Sequence, residues 1–560
     1  MARMALGLDF GTESARALLL DIESAAEVGE GVAPYPHGVL DHNLPTGEDL
    51  PRDWALQHPT DWTDAAARAI REALAGSGAR REDLVAVGVD FTASTPLPVT
   101  AGGDPLCLQA RWAREPHAWP KLWKHHGAKE EAARINALAR KRAEPFLAYY
   151  GGVVGLEWLL PKAWQVLREA PAVYAAADRF LEGGDWLVWR LTGRETRNAC
   201  AAGYKALWTA RHGFPSPRFL AALDPELARF YRDKVQGEIV APGRAVGAVT
   251  PLAAAQFGLP AGIPVSAAVI DAHAGVPGAG VGAPGTMVII LGTSSCHLLL
   301  SREARFFAGF AGLVADGILP GFHGYESGQA AVGDIFAWYL AQAVPAAVRD
   351  AARAAGRDLH DHLAGLAARL APGSSGLVAL DWHQGNRSVL MDGRLSGVLL
   401  GLTLQTRPEE IYRALLEATA FGTRVIVESY VAAGLPVERI VACGGLARKN
   451  PLLMQLHADI LGRPIDIAAS DQTVARGAAI FGALAAEPAA REPADVAAAV
   501  ARLGAATERR VTPDPRAGAV YDRLYALYRR LHDHFGRDAR EIMHELRALA
   551  AAAGPPARGD

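Results

Sequence analysis

The segment LGLDFGTESAR, residues 6–16, sets Asp9, Gly11 and Thr12 at the end of an apolar run. Residues 4–8 read as a buried strand, 11–14 as a tight turn and 15–21 as the second strand of a hairpin, which puts Asp9 at the hairpin's mouth. Two readings are open. Asp and Gly both suit turn conformations, and the turn then does no more than reverse the chain. In the other reading the turn is a phosphate clip. Glycine lets the backbone approach phosphate oxygens, backbone N–H groups and the Thr12 hydroxyl donate to them, and Asp9 holds Mg²⁺ through water. A protein-kinase Asp-Phe-Gly is excluded, because the chain has no His-Arg-Asp catalytic loop.

The pattern recurs. GTMVIILGTSSCHLLL, residues 285–300, again reads as apolar strand (287–291), Gly292-Thr293-Ser294 turn and apolar strand (296–300). Two Gly-Thr hairpins far apart in one chain point to two related halves, an internal duplication, whose turns can grip one nucleotide from opposite sides. Strand patterns between them alternate with helical ones at 62–75 and 129–141, and longer helices follow at 409–432, 450–461 and 474–485, so the fold class is mixed α/β. The stretch 485–510 reads as a surface helix and loop, and the tail 515–552 as a charge-rich helix packed on the outside.

Composition narrows the partners. A chain of 560 residues, 50% hydrophobic and 21% charged, can fill more than one core. Its net charge of −3 and lack of a Lys/Arg cluster give nucleic acid no electrostatic footprint, so a small-molecule partner is expected. The four cysteines, Cys107, Cys200, Cys296 and Cys443, show no CxxC or zinc-like spacing and read as reduced thiols. No signal-peptide pattern and no uninterrupted apolar span is present, which places the expected protein in the cytoplasm, away from membrane.

A nucleotide also needs a base and ribose site. RIVACGGLARKNPLLMQLHADILGRPI, residues 439–465, reads as a strand at 440–442, the paired Gly444-Gly445, then a helix beginning near Asn450, an arrangement that lets backbone approach a ligand. The nominal GxGxxG from Gly280 to Gly285 precedes a strand rather than a helix and is rejected as a dinucleotide fingerprint. In VSAAVIDAHAGVPGAG, residues 265–280, Asp271 follows an apolar strand and precedes a small-residue helix, where it suits a helix cap.

Taken in this order and at these separations, these segments resemble the FGGY family of carbohydrate kinases, within the actin, hexokinase and heat-shock-chaperone ATPase superfamily. The resemblance spans nearly the whole chain. Six further segments are similar to the L-ribulose-phosphorylating branch of that family: VGVDFTASTPLPV (87–99), LWKHHGAKEEA (122–132), YYGGVVGLEW (149–158), AGYKALW (202–208), YESGQAAVGDIFAW (325–338) and LDWHQGNRSVL (380–390). The resemblance implies two duplicated actin-like (ribonuclease H-like) domains, residues 1–283 and 284–560, with ATP and sugar in the cleft between them and Mg²⁺ as cofactor. It implies Asp271 as general base and sugar contact; Ala93, Lys205 and Glu326 as further contacts to a ketopentose; Gly11, Thr12, Gly292 and Thr293 at the phosphates; Gly444, Gly445 and Asn450 around the adenosine; and Asp9 at the metal. Because the family often forms dimers, a homodimer is expected. A kinase for another sugar or pentitol, and an actin-like or chaperone-like ATPase, are the alternatives. Trp123, Trp158 and Trp338 read as core aromatics that could also wall the pocket, and the adjacent His125 and His126 as packed or solvated residues.

Overall fold

The computed structural model describes residues 3–487 and 492–553. Two mixed sheets of seven strands each carry the fold. In the first, the wholly buried strand Met4–Phe10 pairs antiparallel with Ser14–Asp21, which pairs with Glu27–Pro34. On its other side lie the parallel strand Leu84–Phe91 and then Pro264–Ser266. The second sheet repeats this order: Thr286–Leu291 pairs antiparallel with Ser295–Ser301 and onward with His323–Gln329, and runs parallel to Arg439–Cys443 and then Ile465–Ala468. The duplication expected from the two Gly-Thr hairpins is present. Central strands covered on both faces require continuous apolar runs, which is what ALGL and MVIIL supply.

Small residues bring the halves together. The helix Thr473–Ala486 lies in sequence between two strands of the second sheet yet packs on the first, so closely that a Cβ on Gly7 would stand 1.9 Å from the Ala475 carbonyl oxygen and one on Gly88 1.7 Å from that of Ala478. Either substitution forces the helix off the sheet. The helix also joins a core shared by both halves, in which its Ile480 clusters with Ala5, Leu20 and Val269 of the first and Val288, Leu298 and Val441 of the second.

Two expectations need correction. The stretch 485–510, apart from residues 488–491, which lie outside the described residues, is not plain surface: the helix Pro493–Leu503 buries Val496, Val500 and Leu503, and Thr507–Val511 is an edge strand beside Ile465–Ala468. Charge hides that strand in the sequence, because Arg509 and Arg510 blunt an exposed edge and Arg510 pairs with the buried Asp466 at 2.6 Å. The tail, Pro515–Asp533 and Arg540–Ala553, is helical as expected but is not confined to the outside. Tyr521 and Tyr528 are fully buried, with hydroxyls that meet Arg413 at 2.6 Å and Asp381 at 2.9 Å. Among the described residues, no helix is long and apolar enough to cross a membrane.

Candidate active site

Three parallel strands end side by side, and each delivers an aspartate. Asp9 of Met4–Phe10 stands directly opposite Asp90 of Leu84–Phe91, and Val269–Ile270, paired with Asp90 and Phe91, leads straight into Asp271, the first residue of the helix Asp271–Gly278. Ligand sites of open α/β sheets lie at this carboxyl edge. Asp9 is 3% exposed and accepts from Arg16 at 2.9 Å. Asp90 is completely buried, and neither of its oxygens receives a hydrogen bond from the described residues. Burial, then the charges of Asp9 and Asp271, push its carboxyl well above the usual range. Asp271 remains partly reachable from solvent and accepts from the Ala272 N–H at 2.6 Å. Burial, with Asp9 adding to it against the pull of the Ala272 N–H and Lys205, pushes its carboxyl up to about 7. A carboxylate that changes charge near neutral pH can take a proton from a hydroxyl and later release it.

Next to this edge lies a buried ionic group joining the halves. Lys205, at the end of the helix Ala199–Lys205, donates to Glu326 of the strand His323–Gln329 at 3.1 and 3.2 Å. Arg387 donates to the same carboxylate and lies 3.7 Å from Cys296 Sγ, and His273 Nε2 is 3.4 Å from it. Burial alone would raise the Glu326 carboxyl, but Lys205, Arg387 and His273 together hold it well below the usual value. Lys205 and Glu326 are 5% and 2% exposed, which removes any reading of them as ordinary surface charges. Ala93 is half-buried in the turn after Leu84–Phe91, where Lys162 Nζ pins the next carbonyl, that of Ser94, at 2.6 Å.

The two Gly-Thr turns are built alike but held differently. In the first, the Gly11 N–H donates to the Ser14 carbonyl at 3.0 Å, Gln57 Nε2 donates to the Thr12 carbonyl at 2.7 Å, and the Trp123 indole donates to Thr12 Oγ1 at 3.0 Å. The Thr12 hydroxyl proton is therefore left to donate elsewhere. In the second, the Gly292 N–H donates to the Ser294 carbonyl at 3.0 Å, and the Gly292 and Thr293 carbonyls accept from Gly333 at 3.1 Å and Val332 at 2.8 Å, at the start of the helix Gly333–Gln342. Gly444 holds φ +91° directly beyond Arg439–Cys443, and a Cβ there would meet the Leu291 carbonyl oxygen at 2.5 Å, which ties it to the base of the second turn. Gly445 opens a short helix, Gly445–Lys449, that the sequence did not suggest, and has open space around it. Asn450 uses its side-chain oxygen to cap Pro451–Leu461 through the Leu453 N–H at 3.0 Å.

Asp90, Arg387 and His273 were not singled out in the sequence. One signal for Asp90 was available: GLDF (7–10) and GVDF (88–91) are near-identical, and the sheet sets them in register, Gly7 on Gly88 and Asp9 on Asp90. Of the three tryptophans, Trp123 reaches the first turn and Trp158 is buried with Lys205 Nζ 5.7 Å from its ring centre. Trp338 is no core residue: it is 47% exposed and tilted against His383.

Comparison with known proteins agrees with this layout. Residues 4–278 match the N-terminal domain and residues 287–486 the C-terminal domain of the FGGY family of carbohydrate kinases. The chain is 49% identical over 543 residues to a protein named ribulokinase from Geobacillus thermodenitrificans, covering 97% of this chain and 96% of that one. It is 48% identical over 551 residues to a ribulokinase from Mycolicibacterium smegmatis, covering 98% and 96%. Among solved structures, a ligand-bound xylulose kinase from Lactobacillus acidophilus superposes with TM-score 0.77 at 17% identity, covering 96% of this chain and 100% of that one. A xylulose kinase from Rhodospirillum rubrum superposes with TM-score 0.76 at 25% identity, covering 97% and 100%. With both domains matched in order across two actin-like sheets, the chain belongs to the FGGY family of carbohydrate kinases.

Proposed function

We propose that the chain is an ATP-dependent kinase that phosphorylates L-ribulose, with D-ribulose as a second acceptor, at the 5-hydroxyl in L-arabinose catabolism. The observation that carries this reading is the juxtaposition of Asp271, at the carboxyl edge of the first sheet, with the buried Lys205–Glu326 pair. A polyhydroxyl substrate needs fixed donors and acceptors, and this group offers both beside a carboxylate suited to take a hydroxyl proton. The ketopentose itself is inferred from the near full-length likeness to proteins named ribulokinase.

In the proposed mechanism, Lys205, Glu326 and the Ala93 turn hold the sugar. Asp271 accepts the 5-hydroxyl proton as that oxygen bonds to the γ-phosphorus, and the bond to the β,γ-bridging oxygen breaks in line, releasing ADP. Thr12 and Thr293 offer N–H and hydroxyl donors to the phosphates, Gly11 and Gly292, whose N–H groups close the two turns, let the backbone approach them, and Gly444, Gly445 and Asn450 border the adenosine. Asp9, beside an Asp90 whose oxygens lack donors, suits an oxygen-seeking dication. Bound there, Mg²⁺ would neutralise charge on the β- and γ-phosphates. The division at residues 283 and 284, a homodimer and a cytoplasmic setting belong to the same proposal.

The test is ADP release in a coupled assay over L-ribulose, D-ribulose, xylulose and ribitol. The reading expects the highest kcat/KM with L-ribulose. A clear preference for xylulose or ribitol would move the protein to another branch of the family.

A further inference from the structure

We propose that His37, His58 and Asp61 form a site for a transition-metal dication of the Zn²⁺ class, set on the two segments that hold the first Gly-Thr turn. One nitrogen from each imidazole and one Asp61 oxygen lie within 4.8 Å of one another. A tetrahedral ion with bonds of about 2.0–2.1 Å spaces its ligands roughly 3.4 Å apart, so modest side-chain rotations close the set. The two rings are already stacked, with centres 4.2 Å apart and planes 11° from parallel, which holds the two imidazoles side by side.

The donors are held in place before any ion arrives. Asp61 is 3% exposed and accepts from the His37 N–H at 3.0 Å, while its other oxygen is 2.8 Å from His37 Nδ1. Thr60 Oγ1 lies 2.7 Å from His58 Nδ1, and Trp119 packs edge-on against the His58 ring, which fixes that ring's orientation. Two imidazoles and one carboxylate suit Zn²⁺, whereas Mg²⁺ prefers oxygen ligands throughout. This site is therefore distinct in chemistry from the one proposed at Asp9.

Its position gives it a consequence. The Tyr35 N–H donates to the Glu13 carbonyl at 2.8 Å, and Gln57 Nε2 donates to the Thr12 carbonyl at 2.7 Å. His37 lies two residues beyond the first tether and His58 one beyond the second. An ion that ties His37 to His58 fixes both tethers to each other, and with them the turn that carries Gly11 and Thr12.

The test uses the full chain, stripped with EDTA and dialysed against Zn²⁺. Wild type is expected to retain one equivalent per chain; His37→Gln and His58→Gln are expected to lose affinity at least about tenfold. His42→Gln, which alters an exposed histidine outside the cluster, is expected to bind as wild type does. Melting curves in EDTA confirm that each variant is folded, and His37, itself exposed, is the mildest change. Zn²⁺ loading is also expected to change the KM for ATP at least about twofold in wild type but not in His37→Gln, an effect that rests on the kinase reading. Substoichiometric Zn²⁺ in wild type, or retention by His37→Gln and His58→Gln equal to that of wild type, overturns the site. Retention without a KM change overturns the coupling. Zn²⁺ retention is read on the chain whatever sugar it phosphorylates, so failure of the site and failure of the kinase reading are separable.

Discussion

Lys205 and Glu326 come from opposite halves of the chain and meet at 3.1 Å in a buried ion pair that also receives Arg387 and His273. In the proposed mechanism this pair stands at the sugar end of the cleft. It also makes Glu326 the centre on which three groups depend.

Lys205→Ala and Glu326→Ala should both raise the KM for the ketopentose while leaving the KM for ATP within about twofold. They should differ in stability. Glu326→Ala strands two cations, Lys205 and Arg387, and should cost about 3–5 kcal/mol, whereas Lys205→Ala leaves Glu326 with Arg387 and His273 and should cost less. Equal urea midpoints for the two variants, or unchanged sugar kinetics, would contradict this account.

Sequence patterns revealed the hairpins because a buried central strand must be a continuous apolar run, and a Gly-Thr interruption in such a run stands out. Asp9 and Asp271 were legible for the same reason: each is a lone charge at the end of an apolar segment. Arg387 was not, since HQGNRS has no periodicity and its partner lies 61 residues away. The edge strand Thr507–Val511 was hidden by the charges that protect it, and the buried face of the tail by the arginines between its tyrosines. The packing of Thr473–Ala486 on the opposite sheet was equally invisible, because Gly7 and Gly88 carry no sign of which helix they admit.

With Asp271 as base, kcat/KM for the sugar should depend on its anion. Its carboxyl is pushed up to about 7, so the rate should rise with pH through that region and fall about tenfold per unit below it. Asp271→Asn should remove this acid limb and lower kcat roughly 10²–10⁴-fold with the fold intact. A flat wild-type profile from about pH 5 to 8 would exclude the assignment.

Asp90 should make the apoprotein less stable as pH rises. Its folded pKa is raised, so the folded state binds the extra proton. The benefit is complete below the unfolded value of about 4 and is lost as pH climbs toward the folded value. Asp90→Asn, whose amide can donate to Asp9, should therefore stabilise the protein in EDTA by about 1–3 kcal/mol at pH near 8, with a smaller gain near pH 5. Urea titrations at the two pH values decide it; an equal effect at both would show that Asp90 does not titrate as described.

Trp123→Phe removes the indole N–H that donates to Thr12 Oγ1 at 3.0 Å. One such bond is worth about 0.5–1.5 kcal/mol, so the KM for ATP should rise roughly two- to tenfold with little change in the KM for sugar. A change confined to the sugar would place Trp123 at the wrong end of the cleft.

The most direct measurement is ADP formation with and without L-ribulose, compared with ribulose 5-phosphate formed in the same reaction. The account predicts that ADP release nearly stops without sugar and matches sugar phosphate one for one when sugar is present. Turnover of ATP at the full rate without sugar would contradict it and point to an actin-like ATPase.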